Sequence, residues 1–98
     1  MEITKVQNGT SLEIQLSGRL DTTTSPALEA EVKASLEGVT ELTFDFTKLD
    51  YISSAGLRVL LSAQKSMSKQ GTMVIKNVCP DIMEVFEITG FADILSIE

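Results

Sequence analysis

Polar and apolar residues alternate in two segments of the chain, residues 11–17 and 42–46, and a helical pattern lies between them. Alternation with a period of two is typical of a strand that buries one face. Between these segments Leu28, Val32 and Leu36 recur at every fourth position, which predicts a helix with one apolar side. A strand, a helix and a further strand in this order predict a right-handed crossover and an α/β fold.

The segments on either side extend this pattern. A first strand returns through a turn at Asn8 and Gly9 into the strand of residues 11–17, which Gly18 ends. A loop follows residue 46, and a second helix begins near Ser53 or Ser54 and stops at Gly71. The first strand covers residues 3–6 and the loop covers residues 47–52. After the second helix we expect a strand at 73–75, a third helix at 80–90 and a last short strand within 91–97.

The predicted order of elements is β-β-α-β-α-β-α-β, in a single domain that spans residues 1–98. Right-handed crossovers in a short sheet place their helices on the same side. We therefore expect a mixed β-sheet with helices packed mainly on one face.

The charge balance and the missing residue types narrow the classes of function. The 14 acidic and 8 basic residues give a net charge of −6, which disfavours nucleic acid and anionic membranes as partners because both attract basic surfaces. The chain has no histidine, so neither a Ser-His-Asp triad nor a Cys-His dyad can form. Its one cysteine, Cys79, allows no internal disulfide and no zinc site. We expect a cytoplasmic protein with no enzyme activity, metal or cofactor.

The segment between Phe46 and Leu57 carries the candidate functional residues. A strand ends there and a helix begins, and helix N-termini favour negative charge. A phosphate on Ser54 is therefore electrostatically tolerated at this position. The small residues Ala55 and Gly56 predict open access to the helix start, although Gly56 also suits close packing of the helix on the sheet. The alternative interpretation of the two serines is that they only cap the helix.

Three separated motifs resemble the signature of the STAS domain, specifically the bacterial anti-sigma factor antagonist family. The central one is residues 45–61, which contains the run Asp50-Tyr51-Ile52-Ser53-Ser54-Ala55-Gly56-Leu57. Gly18-Arg19-Leu20-Asp21 is similar to the family's element before the first helix, and residues 86–91 are similar to its late Phe-x-x-x-Gly-Phe element. Together the matches cover nearly the whole chain in the family's order.

The resemblance implies a partner-switching regulator that is monomeric when free. In the family, the unphosphorylated protein binds an anti-sigma factor that is also a GHKL-type serine kinase, and this frees a sigma factor. The kinase then phosphorylates a serine that matches Ser54 by position, and a serine phosphatase reverses the modification. The implied partner-binding residues are Asp21, Thr22, Ser53, Ser54, Ala55, Gly56 and Arg58.

Two positions depart from the family's pattern. Well-known members have an aspartate before the phosphorylated serine and a serine or threonine after it, where this chain has Ser53 and Ala55. Ser53 is thus a second, less favoured candidate for the phosphate. Arg58 and Lys48 flank the site, and we interpret them as solvated charges, with pairing to a phosphate as the alternative. The alternative function is an accessory STAS subunit of a membrane transporter, which needs no phosphorylation.

Overall fold

The computed structural model describes all residues from 1 to 98, and it contains one four-stranded sheet with the strand order β1-β2-β3-β4. The first two strands pair antiparallel and the others pair parallel, so the sheet is mixed, as predicted. The strands are β1 (Glu2–Asn8), β2 (Ser11–Leu20), β3 (Glu41–Ile52) and β4 (Thr72–Lys76). The helices are α1 (Ser25–Ser35), α2 (Ser54–Met67) and α3 (Pro80–Thr89), followed by a 3₁₀ turn at Phe91–Asp93.

One face of the sheet and the three helices enclose a single core of 23 buried apolar residues. The alternating residues of β2 and β3 supply its floor, because successive side chains of a strand point to opposite faces. Phe46 lies at its centre, with its ring centroid 6.3 Å from that of Phe44 and 6.5 Å from that of Phe86 on α3. The predicted packing of the helices on one face is confirmed.

The strand β3 is longer than the alternation predicts. Residues 47–52, predicted as a loop, continue the strand and pair with β2, which itself runs past Gly18 to Leu20. The pairing shifts register twice, between Gln15 and Ser17 and again between Gly18 and Arg19 of β2. Each shift inserts one extra residue into β3 and changes which residues face the core. The prediction of a loop here was wrong for this reason.

The prediction of a last short strand within residues 91–97 was also wrong. Gly90 takes a left-handed conformation with φ of 82° and ends α3, and the chain then forms the 3₁₀ turn instead of extending. What remains is one parallel bridge between Ile97 and Ile75 of β4, with the Ile75 N–H donating to the Ser96 carbonyl at 2.9 Å. The observed order is therefore β-β-α-β-α-β-α. No helix in this structure has the length and apolar character needed to cross a membrane.

Candidate functional site

The carboxyl ends of the parallel strands β2 and β3 meet at one edge of the sheet, and the candidate residues follow them directly. Leu20 and Ile52, the last residues of the two strands, are paired. The Ser53 N–H extends this pairing by donating to the Leu20 carbonyl at 2.9 Å. Asp21 and Ser53 therefore leave the sheet side by side, at the edge where α/β proteins usually place their functional sites.

Ser53 is the N-cap of α2. Its backbone is extended, with φ of −103° and ψ of 175°, and its hydroxyl accepts a hydrogen bond from the Gly56 N–H at 3.4 Å. Its carbonyl accepts the first helical bond, from the Leu57 N–H at 3.0 Å. The half-buried hydroxyl of Ser53 is thus occupied in satisfying a free amide of the helix start.

Ser54 is the first residue of α2, and its side chain is exposed. In contrast to Ser53, its hydroxyl makes no hydrogen bond to the rest of the protein. The first turn of α2 contains no acidic residue, so nothing on the helix itself offsets the positive end of its dipole. The site therefore presents a free hydroxyl where added negative charge is favourable.

The surroundings of Gly56 favour close packing on the sheet over access to the site as the reason for this glycine. It is buried, and a Cβ at this position would lie 2.7 Å from Cγ of Leu20 and 2.9 Å from Cγ1 of Ile52. The glycine lets the first turn of α2 lie close against the ends of β2 and β3. Gly56 is buried and Ala55 beside it is half-buried, and the predicted contact of these two residues with a partner stays a prediction.

Asp21 organises the turn between β2 and α1. Its Oδ1 accepts hydrogen bonds from the Thr23 and Thr24 N–H groups at 3.0 and 3.1 Å, and from the Thr23 hydroxyl at 2.8 Å. The Thr23 hydroxyl, together with these backbone donors, lowers the pKa of the Asp21 carboxyl against the opposing effect of burial. Asp21 is therefore a turn-forming aspartate, and the exposed Thr22 lies at the tip of the same turn.

A stacked pair beside this turn was missed by the sequence interpretation. The guanidinium carbon of Arg19 lies 4.1 Å from the centroid of the Tyr51 ring, and Arg19 Nε lies 3.8 Å from Asp21 Oδ2. The second register shift, with Asp50 as the extra residue, is what places Tyr51 opposite Arg19. The only signal in the sequence was an aromatic residue three positions before Ser54, which does not identify its partner.

Two further basic residues flank the helix start. Arg58 and Lys48 are both exposed, and neither takes part in any of the four ion pairs of the structure. In the unmodified protein they are solvated, as the sequence interpretation favoured. The fold and the site together define a small α/β module with an unengaged serine hydroxyl at the start of its second helix.

Comparison with known proteins gives the family of this module. The family model of the STAS domain matches residues 2–98. BtrV of Bordetella bronchiseptica, provisionally named an anti-sigma factor antagonist, is 40% identical over 84 residues, which cover 84% of this chain and 72% of BtrV. The chain therefore belongs to the STAS domain family, among its anti-sigma factor antagonists.

Solved structures share the fold at low sequence identity. An anti-sigma factor antagonist from Mycobacterium paratuberculosis superposes with a TM-score of 0.88 and 20% identity, covering 98% of this chain and 83% of that one. The Bacillus cell fate determinant SpoIIAA in its phosphorylated form superposes with a TM-score of 0.77 and 19% identity, covering 99% and 91% of the two chains. These two likenesses concern the fold alone.

Proposed function

We propose that this protein is a partner-switching regulator whose binding is controlled by phosphorylation of Ser54. The unphosphorylated protein binds an anti-sigma factor that is also a GHKL-type serine kinase, and the phosphorylated protein is released. A serine phosphatase returns it to the binding state. The observation that carries the proposal is the hydroxyl of Ser54, which is exposed and unengaged at the positive end of α2.

The proposed modification is a phosphoryl transfer to which this chain contributes only the acceptor. Ser54 Oγ attacks the γ-phosphorus of ATP, the bond to the bridging oxygen breaks, and ADP leaves. The hydroxyl proton passes to a base of the kinase. The product carries a charge of about −1.5 to −2 at the helix start. The protein is thus a substrate of the kinase and has no catalytic role of its own.

The choice of Ser54 over Ser53 rests on what each hydroxyl does in the fold. Phosphorylation of Ser53 would place the phosphate on the oxygen that accepts the Gly56 N–H, in a half-buried position. Phosphorylation of Ser54 breaks no hydrogen bond of the protein and adds charge where the helix dipole favours it. Phosphorylation of Ser53 would therefore perturb the helix cap, and phosphorylation of Ser54 would not.

The proposed binding surface surrounds Ser54. Of the residues that the family resemblance implies, Thr22 and Arg58 are exposed, and Asp21, Ser53 and Ala55 are half-buried at the same edge of the sheet. We add the stacked pair of Arg19 and Tyr51, because exposed arginine and tyrosine side chains are frequent binding hot spots. Loss of binding on phosphorylation follows if the partner fits the bare hydroxyl closely.

The test is phosphate mapping by mass spectrometry after incubation with a purified GHKL-type serine kinase from the same organism and ATP. The variants are Ser54→Ala, Ser53→Ala and, as a matched control, Ser66→Ala, which changes another exposed serine of α2. We expect only Ser54→Ala to abolish phosphorylation and Ser54→Asp to weaken kinase binding. Undiminished phosphorylation of Ser54→Ala would refute the site. Ser53→Ala removes the helix cap and costs about 1 kcal/mol of stability, but it leaves the acceptor hydroxyl of Ser54 in place.

The accessory-subunit alternative makes the opposite prediction. In that function the start of α2 is a constant docking surface, and the protein purified from its source carries no phosphate on Ser54. It would also co-purify with a membrane transporter instead of a serine kinase. The 40% identity to BtrV, which is provisionally named an antagonist, supports the switch over this alternative.

A further inference from the structure

Arg58 lies one helical turn beyond Ser54 on α2. Residues four apart on a helix share a face, and their Cβ atoms are about 5–6 Å apart. Side chains of a helix lean toward its N-terminus, so the surface that Arg58 covers lies over the turn that contains Ser54. Both residues are exposed, which leaves the space between them open to solvent.

The guanidinium of Arg58 has no partner in the unmodified protein. It makes no ion pair and no side-chain hydrogen bond, and the first turn of α2 offers no acidic residue. It stands near the positive end of the helix dipole, where a cation is unfavourable. This arrangement is what a residue held ready for an anion at the helix start would show.

The other charged groups at this edge of the sheet do not compete for that role. Arg19 at the end of β2 is already paired with Asp21 and stacked on Tyr51. Asp21 itself is acidic, as is the exposed Asp50 on β3, and both would repel a phosphate. Lys48 is exposed but lies six residues before Ser54 on the strand, not on the helix. Arg58 is the unpaired cation that shares a helix face with the acceptor serine.

We propose that Arg58 is a positioning residue that clamps the phosphate once Ser54 is phosphorylated. The planar guanidinium donates two parallel hydrogen bonds to phosphate oxygens, a geometry that a lysine cannot reproduce. The clamp holds the phosphate over the start of α2 and favours its doubly charged form. This inference rests on the proposed phosphorylation of Ser54, and it specifies how the modified state is fixed.

The test bypasses the kinase by incorporating phosphoserine at position 54 during translation. The second ionisation of the phosphate is followed by phosphorus NMR as a function of pH, in the full chain. We expect Arg58→Gln to raise the pKa of the phosphate by about 0.3 unit, the size that an exposed ion pair at this spacing produces. The phosphate pKa in Arg58→Lys should lie between those of the unsubstituted protein and Arg58→Gln, because lysine keeps the charge and loses the paired hydrogen bonds.

Lys65→Gln is the matched control. Lys65 is an exposed cation of the same helix, and its removal changes the net charge equally. It lies 11 residues from Ser54, about 16 Å along the axis, which exceeds the screening length of about 8 Å at physiological salt. We expect a shift below about 0.1 unit for this variant. Equal shifts in Arg58→Gln and Lys65→Gln, or none in either, would overturn the clamp.

The two proposals fail separately. A protein that no serine kinase modifies at Ser54 contradicts the switch, whatever the titration of the installed phosphoserine shows. A normal kinase reaction combined with an unchanged phosphate pKa in Arg58→Gln contradicts only the clamp. Circular dichroism of each variant checks that the exposed substitutions leave the helices intact.

Discussion

Substituting Gly56 by alanine tests how the start of α2 is held on the sheet. The added Cβ would lie 2.7 Å from Cγ and 3.0 Å from Cδ2 of Leu20, and 2.9 Å from Cγ1 of Ile52. The two nearest atoms, Cγ of Leu20 and Cγ1 of Ile52, are inner atoms of buried side chains and cannot swing aside as the end of a flexible chain can. Overpacking of this kind lowers stability by about 1–3 kcal/mol. Replacing a helical glycine by alanine raises stability by about 0.5–1 kcal/mol.

The difference predicts that Gly56→Ala lowers the free energy of unfolding by about 1 kcal/mol. In a chain of 98 residues this corresponds to a decrease in Tm of about 4–8 °C. Urea unfolding followed by circular dichroism measures the free energy, and calorimetry measures Tm. The control Ala55→Gly, at the adjacent and only half-buried position, calibrates the helix-propensity contribution alone.

A double-mutant cycle with Leu20→Ala identifies the cause. Removing the Leu20 side chain removes two of the three close contacts, so Gly56→Ala should become less costly in that background by at least about 0.5 kcal/mol. A Gly56→Ala protein that is more stable than the parent would refute the packing explanation. The glycine would then have no structural reason, and the access interpretation of the sequence would return.

Two further predictions concern the turn at Asp21 and the crossover at Gly71. Because hydrogen bonds lower the pKa of Asp21 below its usual 3.8, its ionised form stabilises the fold above that pH, and this contribution is lost as pH falls through the lowered pKa. The difference in Tm between the unsubstituted protein and Asp21→Asn should therefore shrink as the pH falls below about 3.8. A difference that stays constant with pH would contradict the role of the ionised carboxylate. Gly71→Ala should lower the free energy of unfolding in urea by about 1–3 kcal/mol, because its Cβ would overlap the Thr40 carbonyl oxygen. Unchanged stability would contradict this explanation.

The strands and the helix-bearing face were predictable because a period of two encodes directly which side chains point inward. The same rule explains where the prediction failed. In the second half of β3 the buried residues are Phe46, Leu49 and Ile52, spaced by three, because two register shifts each add a residue. A spacing of three does not indicate a strand, and the shifts depend on pairing with β2, which lies some thirty residues earlier in the chain.

The site was predictable in position and less so in detail. The strand end, the serine pair and the helix pattern locate the start of α2 from local residues alone. Which serine is the cap, and why Gly56 is a glycine, depend on contacts with Leu20 that no local pattern contains. The stacking of Arg19 on Tyr51 likewise follows from a register shift between distant segments.

The replacement of the family's usual aspartate by Ser53 changes the charge at the start of α2 before any phosphorylation. With a carboxylate at position 53, the unmodified helix start would already carry a negative charge, and phosphorylation would only increase it. Here the unmodified surface has the positive helix end and an unpaired Arg58, with no acidic residue in the first turn. A phosphate of about −1.5 to −2 charges on Ser54 would therefore be the first negative charge in the first turn of α2. A partner is switched only by its difference in affinity for the two states, and to first order the added charge sets that difference whichever residue stands at position 53. What Ser53 changes is the starting state, because an acidic partner group that a carboxylate at position 53 would repel meets a positive helix end here.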